Sequence, residues 1–247
     1  MTEPVPSRAP ALKPLLLLGL PLLAIGGAIG WFGHAAAPLT NRAAVETVVR
    51  EYILAHPEIL PEAMERLRRG QDRAQLRGIR AQVEAPFPGA VLGNPAGKFT
   101  LVEFVDFACG YCRRSVADVD ALIAADSELR VVIRELPILS PQSADAARWA
   151  LAAAEQGRYA AFHKAMFASG RPSAETIAAA AKAAGLDLAR ARTVIAAPGT
   201  EAELSRNLGF ARTLGFEGTP SWIAGEEVLS GAVGRERLAK ALQRAAG

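Results

Sequence analysis

The chain has 247 residues, 51% hydrophobic and 21% charged, a balance that excludes a disordered chain and allows one full domain with accessory segments. Lys and Arg number 28 against 25 Asp and Glu, a net charge of +3, and the one basic cluster, Arg66 to Arg80, has no interleaved aromatics, so nothing points to nucleic acid. His34, His56 and His163 are scattered and only two cysteines exist, Cys109 and Cys112, which excludes a tetrahedral zinc site.

Arg8 and Lys13 precede an uncharged stretch from Leu15 to Phe32. Its length lies between a signal-peptide core and the roughly 20 residues that span a bilayer. Residues 1–37 therefore read either as a signal-anchor held in the inner membrane by residues 15–32, or as a signal peptide cut after the small residues Ala35 to Ala37. Both readings put the remainder outside the cytoplasm, in agreement with the positive charge that precedes the stretch. In that compartment a cysteine pair cycles or is oxidised.

Residues 41–85 form the next segment. Val45, Val48, Val49, Tyr52 and Ile53 recur at helical spacing, His56-Pro57 interrupts them, and Ile59, Leu60, Ala63, Met64 and Leu67 continue the stripe before a charged run. An apolar stripe needs a cover. Self-association through residues 44–69 is the favoured reading, because the Pro86 to Gly89 and Gly93 to Gly97 turns separate the segment from the region that carries the cysteines; a docked helical hairpin is the alternative.

From residue 86 to 247 the pattern is α/β. Phe99 to Phe107 reads as a strand, Gly110 to Ala125 as a helix, and Leu129 to Glu135 as a second strand parallel to the first. Alanine-rich helices come next, over about residues 140–214. Strands return at Ser221 to Ala224 and Glu227 to Leu229, with Gly225-Glu226 at the hairpin turn, and a helix closes the chain from about Arg235.

The chemistry centres on Cys109-Gly110-Tyr111-Cys112, delivered by a strand to the start of a helix. Helix N-termini favour a thiolate, so Cys109 is expected to be the exposed nucleophile, and Cys112, one turn inside, the shielded resolving thiol. A static staple over so short a loop would restrain little of the unfolded chain. Glu103 shares strand parity with Leu101 and Val105, which places a carboxylate on the side of the sheet that carries the cysteines. Burial there would raise its pKa and let it exchange a proton with Cys112. Asp106, on the other parity, reads as a loop or surface acid.

Leu101 to Cys112, Glu135-Leu-Pro-Ile-Leu139 with Ser143, and Gly218-Thr-Pro-Ser-Trp222 resemble the matching segments of the DsbA-like thiol:disulfide oxidoreductases. The resemblance implies a thioredoxin-like fold with an inserted helical domain, preceded by a helical segment and the membrane helix or signal. It also implies a cis peptide at Pro220, a Thr219 that offers its backbone to an extended client, and a proton-transfer role for Glu103 towards Cys112. The helices before residue 69, with His56-Pro-Glu-Ile-Leu60, resemble the suppressor-of-copper-sensitivity and Com1-type branch, some of whose members oligomerise through that segment.

The expected activity is therefore exchange of disulfides in exported client proteins. It uses the Cys109–Cys112 redox pair with no other cofactor, is turned over by a membrane thiol partner, and has Thr219, Pro220, Gly110 and Tyr111 lining the client site. Gly110-Tyr111 lacks the histidine of the strong oxidants, which favours isomerase or reductase over oxidase and a potential between roughly −270 and −120 mV. The alternative is a protein that handles copper(I) on its two thiolates.

Overall fold

The computed structural model describes residues 42–246. Two compact units divide between Met64 and Glu65. The expected signal or anchor, residues 1–37, lies outside the described residues; among the described residues no helix is long and apolar enough to cross a membrane.

In the first unit, residues 42–55 form helix α1, which ends where Pro57 can neither donate a backbone N–H nor leave His56 in a helical conformation. Val45, Val48, Val49 and Tyr52 are each 50–63% exposed, so the apolar stripe is present on the helix and faces outward. Helix α2, Ile59–Leu76, comes after it in the chain.

The second unit is built on a five-stranded sheet in the order β1-β3-β2-β4-β5. Its strands are β1 (Val91–Gly93), β2 (Phe99–Val105), β3 (Leu129–Glu135), β4 (Ser221–Ala224) and β5 (Glu227–Ser230). Strands β2 and β3 are parallel, with Glu103 opposite Ile133 and Val105 opposite Glu135, and helix α4 (Gly110–Ala125) makes the crossover between them. The other pairings are antiparallel.

Strand alternation then sorts the core into two layers. Leu101, Val105, Val131 and Ile133 pack with Val119, Leu122, Leu238 and Ala241 of α4 and the last helix, α10 (Arg235–Ala246). Val102, Phe104 and Val132 face the other way, onto Leu76, Val83, Phe210 and Leu214. Each such large apolar side chain contributes roughly 1.5–3 kcal/mol by leaving water.

Five helices stand between β3 and β4: α5 (Pro141–Glu155), α6 (Tyr159–Ala168), α7 (Ala174–Ala183), α8 (Leu188–Ala196) and α9 (Pro198–Thr213). Ala146, Ala147, Ala150 and Ala152 to Ala154 on α5 are buried, and their small side chains let neighbouring helices approach closely. Helix α9 returns beneath the sheet, where Arg134 of β3 ties it down. This guanidinium is 1% exposed and donates to Glu203 Oε1 at 2.6 Å, to Asn207, and to the carbonyls of Gln82, Val83 and Ala85 around helix α3 (Arg80–Glu84).

Four features differ from the sequence expectation. Strand β1 leaves no sequence signal, because three residues show no alternation. The part of α2 from Glu65 onwards, together with α3, belongs to the sheet's unit rather than to a separate segment ending at residue 85. Its charged face covers the β5 edge: Arg68 donates to the Val228 carbonyl, and Asp72 accepts the Val228 N–H at 3.2 Å. An edge strand needs such partners for its free backbone groups. Strand β2 ends at Val105 instead of Phe107, because the chain leaves the sheet at Asp106. That acid is a loop residue, as expected, but it is 1% exposed rather than at the surface.

Candidate functional site

Cys109 is the N-cap of α4, with extended backbone (φ −76°, ψ 116°), and its sulfur accepts the Cys112 backbone N–H at 3.4 Å. It does what a capping serine or aspartate oxygen does, and a negatively charged sulfur does it better. Across the site, Sγ of Cys109 lies 3.1 Å from the Thr219 carbonyl oxygen, and the Thr219–Pro220 peptide is cis. Thr219 thus turns its carbonyl to the thiol, and its buried Oγ1 has no partner.

Cys109 is covered more than expected, at 5% exposure against 1% for Cys112, because the Thr219 loop lies over it. Its thiol pKa falls to about 5, chiefly through hydrogen bonding from Cys112, against the opposing effect of burial. Cys112 moves the opposite way. Burial pushes its thiol well above the ordinary range, and it stays neutral.

Glu103 is 3% exposed and sits on the Leu101 and Val105 side of the sheet. Burial raises its pKa strongly, and the charges of Glu135 and Cys109 raise it further. Gly110 has open space where a Cβ would stand, and Tyr111 is 58% exposed with the Arg114 guanidinium 4.2 Å above its ring. Both stand at the mouth of the site. A cleft of about 310 Å³ runs from Tyr111 past Glu217 and Thr219 to Ser230.

Asp106 fixes the loops around the pair. Its carboxylate accepts the N–H of Ala108 at 2.7 Å and those of Ile138 and Leu139 at 2.9 Å, which joins the cysteine loop to the loop after β3. Ile138 and Leu139 are 42% and 53% exposed there, beside the cysteines' loop.

Three buried polar residues, Glu135, Tyr159 and His163, carry no role in the sequence reading. Glu135 is 1% exposed, and its Oε1 accepts a hydrogen bond from the Tyr159 hydroxyl at 2.6 Å. His163, one turn further along α6, is packed among Phe107, Tyr159 and Phe167, and burial lowers its pKa to about 4. A signal for Glu135 does exist, since it shares parity with Val131 and Ile133 as Glu103 does with Leu101 and Val105.

A family model described as a DSBA-like thioredoxin domain matches residues 100–243, more than half of the chain and all of these groups. The chain belongs to the DSBA-like thioredoxin family. A second model, the copper resistance protein ScsC N-terminal domain, matches residues 41–74.

Among solved structures, the DSBA-like chain is similar to a thioredoxin-like oxidoreductase from Silicibacter pomeroyi DSS-3 (42% identity, TM-score 0.61), over 63% of this chain and 91% of that one. It is similar to the thiol-disulfide exchange protein α-DsbA2 from Wolbachia pipientis (27%, TM-score 0.66), over 72% and 97%. A periplasmic thioredoxin-like protein from Salmonella enterica serovar Typhimurium matches at 26% identity and TM-score 0.59, over 68% and 95%. A stretch of 135 residues is 32% identical to the Na(+)/H(+) antiporter NhaA of Herminiimonas arsenicoxydans, covering 54% of this chain and 22% of the antiporter. The chain thus spans about a quarter or less of the curated relatives it matches.

Proposed function

We propose that the chain is an extracytoplasmic protein thiol:disulfide oxidoreductase that works on exported clients. The observation that carries this reading is the placing of the two thiols: Cys109 caps the N-terminus of α4 and faces the Thr219 carbonyl before the cis Pro220, which favours a thiolate there, while Cys112, behind it, is buried and held neutral.

In the reducing direction the Cys109 thiolate attacks a client disulfide, forms a mixed disulfide and expels one client sulfur with the bond's electron pair. Cys112 then attacks Cys109, its proton passes to the Glu103 carboxylate, and the second client sulfur leaves with its electron pair. The Thr219 backbone, the open Gly110 and the exposed Tyr111 form the client's seat, with main-chain pairing giving sequence-tolerant recognition. A thiol near pH 5 lies between the roughly 7 of thioredoxin and the roughly 3.5 of DsbA. Gly110-Tyr111, without the histidine of the strong oxidants, supports a shuffling or reducing role over strong oxidation, with a membrane thiol partner resetting the pair.

The periplasmic source of one similar structure supports the compartment, and residues 15–32 are proposed as its signal or anchor. Self-association through residues 44–69 is supported by the outward apolar face of α1.

The test uses the full-length chain: insulin reduction, refolding of scrambled disulfides and the in-cell redox state of Cys109 and Cys112. Exchange activity with a mainly reduced pair in cells is expected, and a mainly oxidised pair would make it an oxidase. The match of residues 41–74 to a copper resistance domain favours one second reading, copper(I) carried as cargo on the two thiolates. Tight copper(I) binding without exchange would establish that reading instead.

A further inference from the structure

Below the cysteines lies a second acid that the exchange steps do not use. Glu103 of β2 and Glu135 of β3 stand on adjacent parallel strands, two register positions apart and on one face of the sheet. Both are buried, at 3% and 1% exposure, and among the described residues no arginine or lysine hydrogen-bonds or ion-pairs with either. Glu135 Oε1 takes the Tyr159 hydroxyl at 2.6 Å, and its buried Oε2 has no partner. An anionic oxygen left bare in an apolar setting is costly, whereas a protonated carboxyl or a proton shared with a neighbour is not.

We propose that Glu135, oriented by Tyr159, shares a proton with Glu103 and thereby sets when Glu103 is free to take the proton of Cys112. The inference rests on the thiol-exchange reading of the site. Two carboxyls in one low-dielectric layer resist carrying two negative charges, so they titrate as a pair. When Cys112 attacks the mixed disulfide, its sulfur lone pair forms the new S–S bond and its proton goes to the Glu103 oxygen. The singly ionised pair thereby goes from a charge of −1 to neutral, and the leaving client sulfur carries the electron pair away. Glu135 acts through Glu103 and is a positioning residue.

The groups that face Glu135 are Glu103 on β2, Asp106 in the loop before α4, and Tyr159 on α6, with Cys109 and Cys112 beyond Glu103. His163 packs against Tyr159 and stays neutral above about pH 4, so it adds no charge in the working range. Burial and the Asp106 charge hold Glu135 up, near 8, against the pull of the Tyr159 hydroxyl. Loss of that hydroxyl would leave Glu135 neutral more of the time and would repel a charge on Glu103 less.

The experiment tracks the resolution of a Cys109 mixed disulfide against pH in the full-length chain, for wild type, Glu135→Gln, Tyr159→Phe, Glu103→Gln and Glu103→Gln/Glu135→Gln. Glu135→Gln is expected to move the Glu103-dependent midpoint down by about one pH unit. Tyr159→Phe should move it the same way by less, and the double variant should match Glu103→Gln alone. An unmoved midpoint in Glu135→Gln, or an equal shift in the Glu103→Gln background, overturns the proposal. Should Glu135→Gln fail to fold, infrared difference spectra of oxidised minus reduced wild type and Tyr159→Phe decide. A protonated-carboxyl band that shifts with the Tyr159 hydroxyl upholds the shared proton, and one indifferent to it overturns it. A wild type that reduces no disulfide would instead sink the exchange reading, a result distinct from either.

Discussion

The Cys109 sulfur and the Thr219 carbonyl oxygen, 110 residues apart in the chain, meet at 3.1 Å. The contact closes the site from above while the N-terminus of α4 closes it from below, so one sulfur is held between a backbone acceptor and backbone donors. As a thiol, Cys109 can donate to the Thr219 carbonyl, whereas a thiolate can only accept, as it does from the Cys112 N–H.

Cys109 should titrate with a midpoint near pH 5, read from thiolate ultraviolet absorbance or from the pH dependence of its alkylation. The largest contribution comes from Cys112, so Cys112→Ala should raise the midpoint by about one unit or more, while Cys112→Ser, which keeps a donor, should raise it less. Stability moves with the same proton. A depressed thiol pKa stabilises the reduced fold fully above the unfolded value of about 8.5, and that contribution disappears as the pH falls through about 5.

Glu103→Gln should leave the Cys109 midpoint almost in place and slow the resolution of a mixed disulfide by about 10²-fold, measured by quenched-flow trapping. It should also raise the melting temperature at neutral pH. The folded-state pKa of Glu103 lies above its unfolded value, so the folded state holds the extra proton, and stability falls as the pH climbs past about 4.3. Replacing the acid with an amide removes that loss.

Arg134→Met should cost about 3–5 kcal/mol, seen as a lower urea midpoint, because it leaves Glu203 and three carbonyls of the α3 region without their buried donor. The Cys109 titration should not move in the fraction that stays folded.

How much of the site is legible in the sequence depends on whether a residue's environment is local. Cys109, Cys112 and Glu103 can be placed because strand parity and a helix start are properties of adjacent residues. The roles of Glu135 and Tyr159 need the helical insertion to fold back: α6 brings the hydroxyl to a strand end that lies 24 residues earlier. Asp106 passes for a surface acid for the same reason, since the N–H groups of Ile138 and Leu139 that bury it come from another loop. The charged run of α2 carries no sign of a partner in the sequence, yet Arg68 and Asp72 serve the backbone of β5, 160 and 156 residues away.

That last relationship decides where the chain can be cut. Removing residues 1–64 ends before the contacts of Arg68 and Asp72 with Val228 and before the buried Leu76, so the exchange unit should keep its melting temperature within a few degrees and its insulin-reducing activity. Removing residues 1–78 strips Val228 of both partners and uncovers the layer of Val102, Phe104 and Ile223 beneath Leu76. A lost core leucine alone costs about 2–5 kcal/mol, enough to lower the urea midpoint sharply or to leave the protein insoluble. Light scattering on the same pair of truncations separates stability from assembly. If α1 carries self-association, the first truncation should already be monomeric while still active on insulin, and an unchanged mass would remove α1 from that role.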